Sequence, residues 1–251
     1  MKTTTRDSRE DARVPADYFA TTHWSVVISA GQTQSPQAEL ALNELCRRYW
    51  YPLYAFTRRQ GAAHAEAEDL VQGFFAGFLK KNYLAPLRKE NGRFRAFLLA
   101  CLKNHLANER TRAKRKKRGG GAEHLPIDWG SADDKYQADV VHAAATPEKS
   151  FDQAWVMTLL ERVLTRLAEE KQARGDGKLF EVLKPFLMVA ENSMTCGEAA
   201  TRLQMSEGAV RVATCRLRNR YQELLRAEIA DTCDPALVEE EIRSLFQAFA
   251  E

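Results

Sequence analysis

Residues 195–220, TCGEAATRLQMSEGAVRVATCRLRNR, limit the possible folds more than any other stretch, because they spell two short helices around a tight turn. The first opens with a capping box, in which Thr195 accepts from the amide of Glu198 and Glu198 reaches back to the amide of Thr195. Ala199, Ala200 and Leu203 give it one apolar face. Ser206 is a good N-cap for the second helix, and Val210, Ala213, Leu217 and Tyr221 recur along it at helical spacing. Arg211 and Arg218 fall on one shoulder of that stripe, Arg216 and Arg220 on the other. Gly208, Val212, Cys215 and Asn219 lie between the shoulders, on an exposed crest that Ser206 and Glu207 lead into. Such a helix suits a DNA groove: arginines grip the phosphate walls while the crest faces the bases. The plainer reading is an amphipathic helix pair with a solvated basic face. The turn position often given to glycine is Gln204, which fits a backbone that is not strongly left-handed.

At 251 residues the chain is long enough for one large domain or two small ones, and a hydrophobic content of 45% supports real cores. No apolar run reaches the length of a membrane span, and the N-terminus, MKTTTRDSREDARVP, has no signal-peptide core, so a cytoplasmic protein is expected. The net charge of +3 is unevenly spread. Cys46, Cys101, Cys196, Cys215 and Cys233 form no C-x-x-C pair, so reduced thiols are expected rather than disulfides or a zinc site.

Along the chain the periodicity is helical throughout. Residues 1–17 read as a polar lead, and Asp17–Ala30 as a short helix in which His23 and Trp24 pack. Ser35-Pro36 starts a helix that buries Leu42, Leu45, Tyr49, Leu53 and Phe56, is kinked or divided by Pro52, and ends at Gly61. The helix Ala65–Lys81 has an apolar face of Leu70, Val71, Phe74, Phe75 and Phe78. Its opposite face, Asp69, Gln72, Gly73, Ala76 and Lys80, joins polar anchors to residues too small to keep a partner helix away. A loop of turn formers and basic residues ends at Arg93 and leads into a third helix, Phe94–Arg112. That helix buries Phe94, Phe97, Leu98, Cys101, Leu102 and His105, turns Lys103, Asn104, Asn108 and Arg110 elsewhere, and runs into RTRAKRKKRGGG. So many consecutive cations, Arg112, Lys114 and Arg115 among them, call for solvent or for phosphate as counter-charge.

Gly119–Ala145 reads as a flexible tether. Thr146-Pro147 restarts helix, with Phe151, Trp155, Leu159, Val163 and Leu167 buried; Lys178–Val189 is a further helix, bent at Pro185. Asp234-Pro235 caps a last helix whose Leu237, Ile242, Leu245 and Phe249 need a surface. The expectation is an all-α fold: two helical domains joined by a flexible linker, with an extension at each end.

With both domains in view the chain resembles the extracytoplasmic-function sigma factors, in the sigma-70 family of bacterial RNA polymerase subunits. Ala67–Phe75, AEDLVQGFF, resembles the AEDLVQ-x-x-F signature of region 2, whose helix docks on the clamp of the polymerase largest subunit. The resemblance implies polymerase contact by Asp69 and Gln72, with Gly73 and Ala76 beside them. FRAFLLACLKNHLANERTR resembles the F-R-x-W-L…N…(D/N)…R segment, with Phe97 where tryptophan is usual. There the helix and its preceding loop capture the melted strand near minus ten, implying roles for Arg93, Asn104, Asn108, Arg110, Arg112, Lys114 and Arg115. Glu198–Arg220 resembles region 4, which reads the element near minus thirty-five, implying contacts by Ser206, Glu207, Arg211, Cys215, Arg216, Arg218 and Arg220. The implied boundaries are an N-terminal extension at 1–34, region 2 at 35–118, the tether at 119–146, region 4 at 147–228 and a C-terminal extension at 229–251.

The resemblance thus implies a transcription initiation factor, not an enzyme, without cofactor or metal. Its partners would be core RNA polymerase, duplex and melted promoter DNA and, for control, an anti-sigma protein or other regulator. A stand-alone helix-turn-helix regulator is the competing reading, and it leaves the Ala67–Phe75 face unused. An RNA-binding protein could use the basic run, yet no stacking-aromatic motif of the RNA modules is present. No phosphate loop, metal spacing or nucleophile motif supports an enzyme. The C-terminal helix could fold back on region 4, dock on region 2 as an internal inhibitor, or bind a regulator; folding back on region 4 is the simplest.

Overall fold

A computed structural model of the chain describes residues 36–80, 93–115, 132–139, 146–187, 194–233 and 235–250, without the side chains of 36–43, 79–80, 113–115, 138–139, 235, 246 and 248–250. The N-terminal extension with His23 and Trp24, the loop before Arg93, the basic run after Arg115 and most of the tether lie outside the described residues. So do the side chains of Leu42, Lys80, Lys114, Arg115 and Phe249.

Among the described residues there are nine α-helices and no strand, as the all-α reading expects: α1 (Pro36–Arg59), α2 (His64–Lys80), α3 (Phe94–Arg115), α4 (Ala132–Asp139), α5 (Pro147–Ala173), α6 (Gly177–Leu183), α7 (Cys196–Leu203), α8 (Glu207–Ala230) and α9 (Val238–Ala250). Two single 3-10 turns, Lys184–Leu187 and Pro235–Leu237, join α6 and α9 to their neighbours. The first of these falls at Pro185, where loss of one backbone donor ends the α-helix.

α1 is the hub. Tyr51, Leu53, Tyr54, Ala55 and Phe56 are consecutive but for Pro52 and all buried, so the helix is covered on every side. That cover explains Pro52: the missing amide removes one hydrogen bond, yet α1 runs through it as one helix and is not divided. α1 ends where Gly61, at φ 95°, brings its amide within 2.9 Å of the Arg58 carbonyl. α2 packs along one side of α1 and α5 along another, the latter being the most extensive helix contact among the described residues.

This contact carries one core from the first group of described helices into the second. Tyr49 of α1 meets Phe94 of α3 edge-on at 5.3 Å and stacks on Trp155 of α5 at 6.5 Å. The core then continues through Phe151, Leu159, Val163 and Leu167 into Val210, Leu217 and Leu224 of α8. A further difference lies inside the tether. Ala132–Asp139 is helical and docks on α1 through fully buried Ala132, Tyr136 edge-on to Tyr54, and an Arg58–Asp133 ion pair. Tyr136 is also overlaid by the Arg58 guanidinium at 4.9 Å. The tether's acidic and small residues hid that single apolar anchor.

α5 begins as its sequence expects, with Thr146 accepting from the Lys149 amide at 3.2 Å and proline in the first turn. At 27 residues it spans about 40 Å and carries the C-terminal half of the fold. α9 buries Leu245 and half-buries Ile242 and Val238 against α5 and α8.

Candidate nucleic-acid interface

α7 and α8 form the helix-turn-helix. Its first helix is held by the reciprocal cap: Thr195 N donates to Glu198 at 2.8 Å, and Glu198 N donates to Thr195 Oγ1 at 3.3 Å. The exposed Glu198 carboxyl sits below its ordinary range because the Thr195 amide and hydroxyl donate to its charged form. The turn corrects one expectation. Gln204 has φ 54° and ψ 43°, fully left-handed, without glycine. The reversal gains two capping bonds, Met205 N to Ala200 O at 3.0 Å and Gln204 N to Thr201 O at 3.4 Å, which offset a side-chain cost of about 1–2 kcal/mol.

Ser206 then caps α8, its hydroxyl accepting from Ala209 N at 3.2 Å. Val210, Thr214 and Leu217 are buried beneath, while Glu207, Gly208, Arg211, Val212, Cys215, Arg216, Arg218 and Asn219 are exposed. Val212, at 51%, is the most exposed large apolar side chain among the described residues, on the crest of α8.

The four arginines divide into two classes. Arg211 makes only an exposed i, i+4 pair with Glu207 at 3.1 Å, and Arg216 makes no ion pair among the described residues, so both can turn to a phosphate. Arg218 donates twice to the Phe186 carbonyl, at 3.1 and 2.8 Å, closing the end of the 3-10 turn. Arg220 grips both oxygens of Glu170 on α5 at 2.8 Å and adds Glu223. Those hydrogen bonds hold the Arg220 guanidinium above its ordinary value and the Glu170 carboxyl below its own. Arg218 and Arg220 are therefore struts in this structure, a correction to their placement among free groove-facing side chains.

The second face belongs to α3. Ala100, Asn104, Ala107, Asn108 and Thr111 form one exposed stripe opposite buried Leu98, Leu102 and Leu106. Arg112 lies at its edge, paired with Glu109 at 2.8 Å but largely in solvent. Arg110 donates to Gln60 Oε1 at 3.2 Å across a cleft of about 340 Å³, whose apolar floor is Leu70 and Leu106. Lys103 turns to Glu148 of α5 at 2.7 Å. His105 packs edge-on to Phe74, as a core histidine should.

Arg93 is not free. Its Nη2 lies 2.8 Å from Glu240 and its Nε 2.6 Å from Glu241, both on α9. Arg95, almost fully buried, pairs with Glu241 and with Asp152 of α5. Burial opposes the charge on Arg95, but the two carboxylates more than reverse this and hold the guanidinium above its ordinary value.

On α2 the expected polar face is partly covered. Asp69 is exposed, and Gly73 and Ala76 are half-exposed, His105 lying 3.8 Å from where a Gly73 Cβ would be. Gln72 is buried, which corrects its placement beside Asp69 on an open surface. It sits some 60° around the helix from Asp69, toward the covered side.

The chain matches no protein-family model, no curated protein and no solved structure. No helix among the described residues is long and apolar enough to cross a membrane.

Sequence reasoning missed the buried ionic struts. Glu228 on α8 is buried between Arg48 of α1 at 3.4 Å and Arg162 and Arg166 of α5 at 3.7 and 3.6 Å. Glu241 is 1% exposed beneath Arg93 and Arg95. A signal existed: Glu228 follows Leu224 by four residues, and Glu241 precedes Leu245 by four. A carboxylate in register with an apolar stripe must bury its charge against a cation.

Proposed function

We propose that the chain is a promoter-specificity subunit of bacterial RNA polymerase, a sigma factor of the extracytoplasmic-function type acting in the cytoplasm. The observation that carries this reading is the crest of α8. A capped, well-packed second helix of a helix-turn-helix presents Val212 and Cys215 between two available arginines, Arg211 and Arg216. That is the layout of a major-groove reader, with cations for the phosphates and small or apolar groups for base edges and thymine methyls.

The α3 face supports the second half of the reading. Asn104, Asn108 and Arg112 offer amide and guanidinium groups to a single strand. Asp69, with Gly73 and Ala76 beside it, supplies the candidate polymerase contact. The stand-alone regulator draws on one observation of its own, the packing of α1 on α5, which makes the described helices one unit.

Polymerase binding separates the two readings. Asp69→Arg is expected to weaken binding to core polymerase at least tenfold while leaving duplex affinity unchanged. Equal affinity of wild type and variant for core polymerase, or no affinity in either, counts against the sigma reading.

A further inference from the structure

We propose that α9 is an autoinhibitory clasp: Glu240 and Glu241 occupy the arginines at the head of α3 as stand-ins for nucleic-acid phosphate, and they hold the two halves of the chain closed. The use of those arginines on DNA rests on the function proposed above; the closure does not.

Three observations carry the clasp. First, Arg93 and Arg95 stand where α3 begins, and their guanidinium groups are taken up by carboxylates from the far end of the chain. Arg93 meets Glu240 at 2.8 Å and Glu241 at 2.6 Å, while Arg95 meets Glu241 and, across on α5, Asp152. Ser244, one turn along α9, accepts from both arginines at 3.4 Å. Second, α9 is seated at the same time on the C-terminal half, with Leu245 buried and Ile242 half-buried against α5 and α8. One short helix therefore ties the head of α3 to both long helices of the other half. Third, the junction includes backbone: Phe94 N donates to the Thr232 carbonyl at the end of α8, at 3.3 Å.

A carboxylate and a phosphate compete for one guanidinium because both accept its paired N–H groups in the same plane. While Glu240 and Glu241 fill Arg93 and Arg95, the head of α3 can take no strand. While α9 bridges the halves, α1 stays on α5, and α3 and α8 cannot reach two separated DNA elements. Opening exchanges one set of ion pairs for another and returns Glu241 to water. Such a contact can be displaced, unlike the buried Tyr49–Trp155 ring stack it guards. A polyanion, or a basic partner surface that draws off the acidic start of α9, would release it.

The test uses the full chain and two readouts. Glu240→Lys reverses a charge that is 61% exposed, and Glu241→Gln removes a buried charge at constant shape. Small-angle scattering should show a larger radius of gyration for each variant than for wild type at equal helix content. Anisotropy with a fluorescein-labelled single-stranded DNA should show affinity raised about tenfold, with log affinity falling more steeply against log salt by about 1.4, since two more phosphates are neutralised. Glu240→Gln, which removes that charge without reversing it and leaves the Arg93–Glu241 pair in place, should open the chain less than Glu240→Lys does. Variants as compact as wild type overturn the clasp. Variants that open without any gain in DNA affinity establish the clasp and count against the DNA role given to α3. If Glu241→Gln loses helix content, the two Glu240 variants decide alone.

Discussion

Gln204 and Cys215 show what single residues decide in this molecule. Gln204 holds the turn between α7 and α8 at φ 54°, a conformation that costs a side chain about 1–2 kcal/mol and glycine nothing. Gln204→Gly should therefore raise the stability measured by urea unfolding by up to about 1 kcal/mol, after the extra freedom glycine gains in the unfolded chain. Gln204→Val, branched at Cβ, should lower it by more than that. Equal midpoints for the two would show that the turn is not strained. Cys215 is the one exposed cysteine, whereas Cys46 is buried with its thiol pushed up to about 12 by that burial. A disulfide reagent should label Cys215 first and leave Cys46 and Cys233 until unfolding. Saturating duplex DNA should slow the Cys215 reaction severalfold, and an unchanged rate would place the crest away from the groove.

Among the elements, helix identity was legible and helix partnership was not. The cap pairs Thr195/Glu198 and Thr146/Pro147, the breaks at Gly61 and Pro185, and the crest of α8 were all readable, because each is settled within a few residues. The docking of α1 on α5 was not, because it depends on which of two apolar faces finds which neighbour. The run YWYPLYAF, aromatic and aliphatic on every side, was the available sign of a central helix. Arginine roles were illegible for the same reason: Arg216 and Arg220 share one shoulder of α8, but only Arg220 has Glu170 opposite. Arg220→Ala should therefore destabilise the fold by about 1 kcal/mol, a partly solvent-screened pair, and alter DNA affinity less than Arg216→Ala does. The reverse order would return Arg220 to the interface. Glu44 of α1, 2.8 Å from Arg162 of α5 and 3.3 Å from Arg48, forms a further strut that is pH-sensitive. Burial raises its carboxyl, but Arg162 and Arg48 together bring it below its ordinary value, and Glu170 is lowered by Arg220. A depressed folded value means stability that is complete above the unfolded carboxyl range and is lost as pH falls through the folded values. Thermal midpoints should thus hold above about pH 5 and drop below about pH 4, with Glu44→Gln flattening the drop. A midpoint that rises on acidification would contradict the strut.

Taken whole, the described helices place the two faces proposed for DNA, on α3 and α8, on one core whose halves share Tyr49, Phe94 and Trp155. Its function as proposed requires those faces to act together on one promoter with polymerase, two modest contacts strengthened by linkage. Reconstituted transcription tests that most directly: core bacterial RNA polymerase, a library of promoter fragments and the purified chain, with run-off products sequenced. The account predicts transcripts with defined start points that require the chain and are lost with Arg211→Ala combined with Arg216→Ala. Absence of any chain-dependent transcript, from a protein that nevertheless binds duplex DNA tightly on its own, would contradict it.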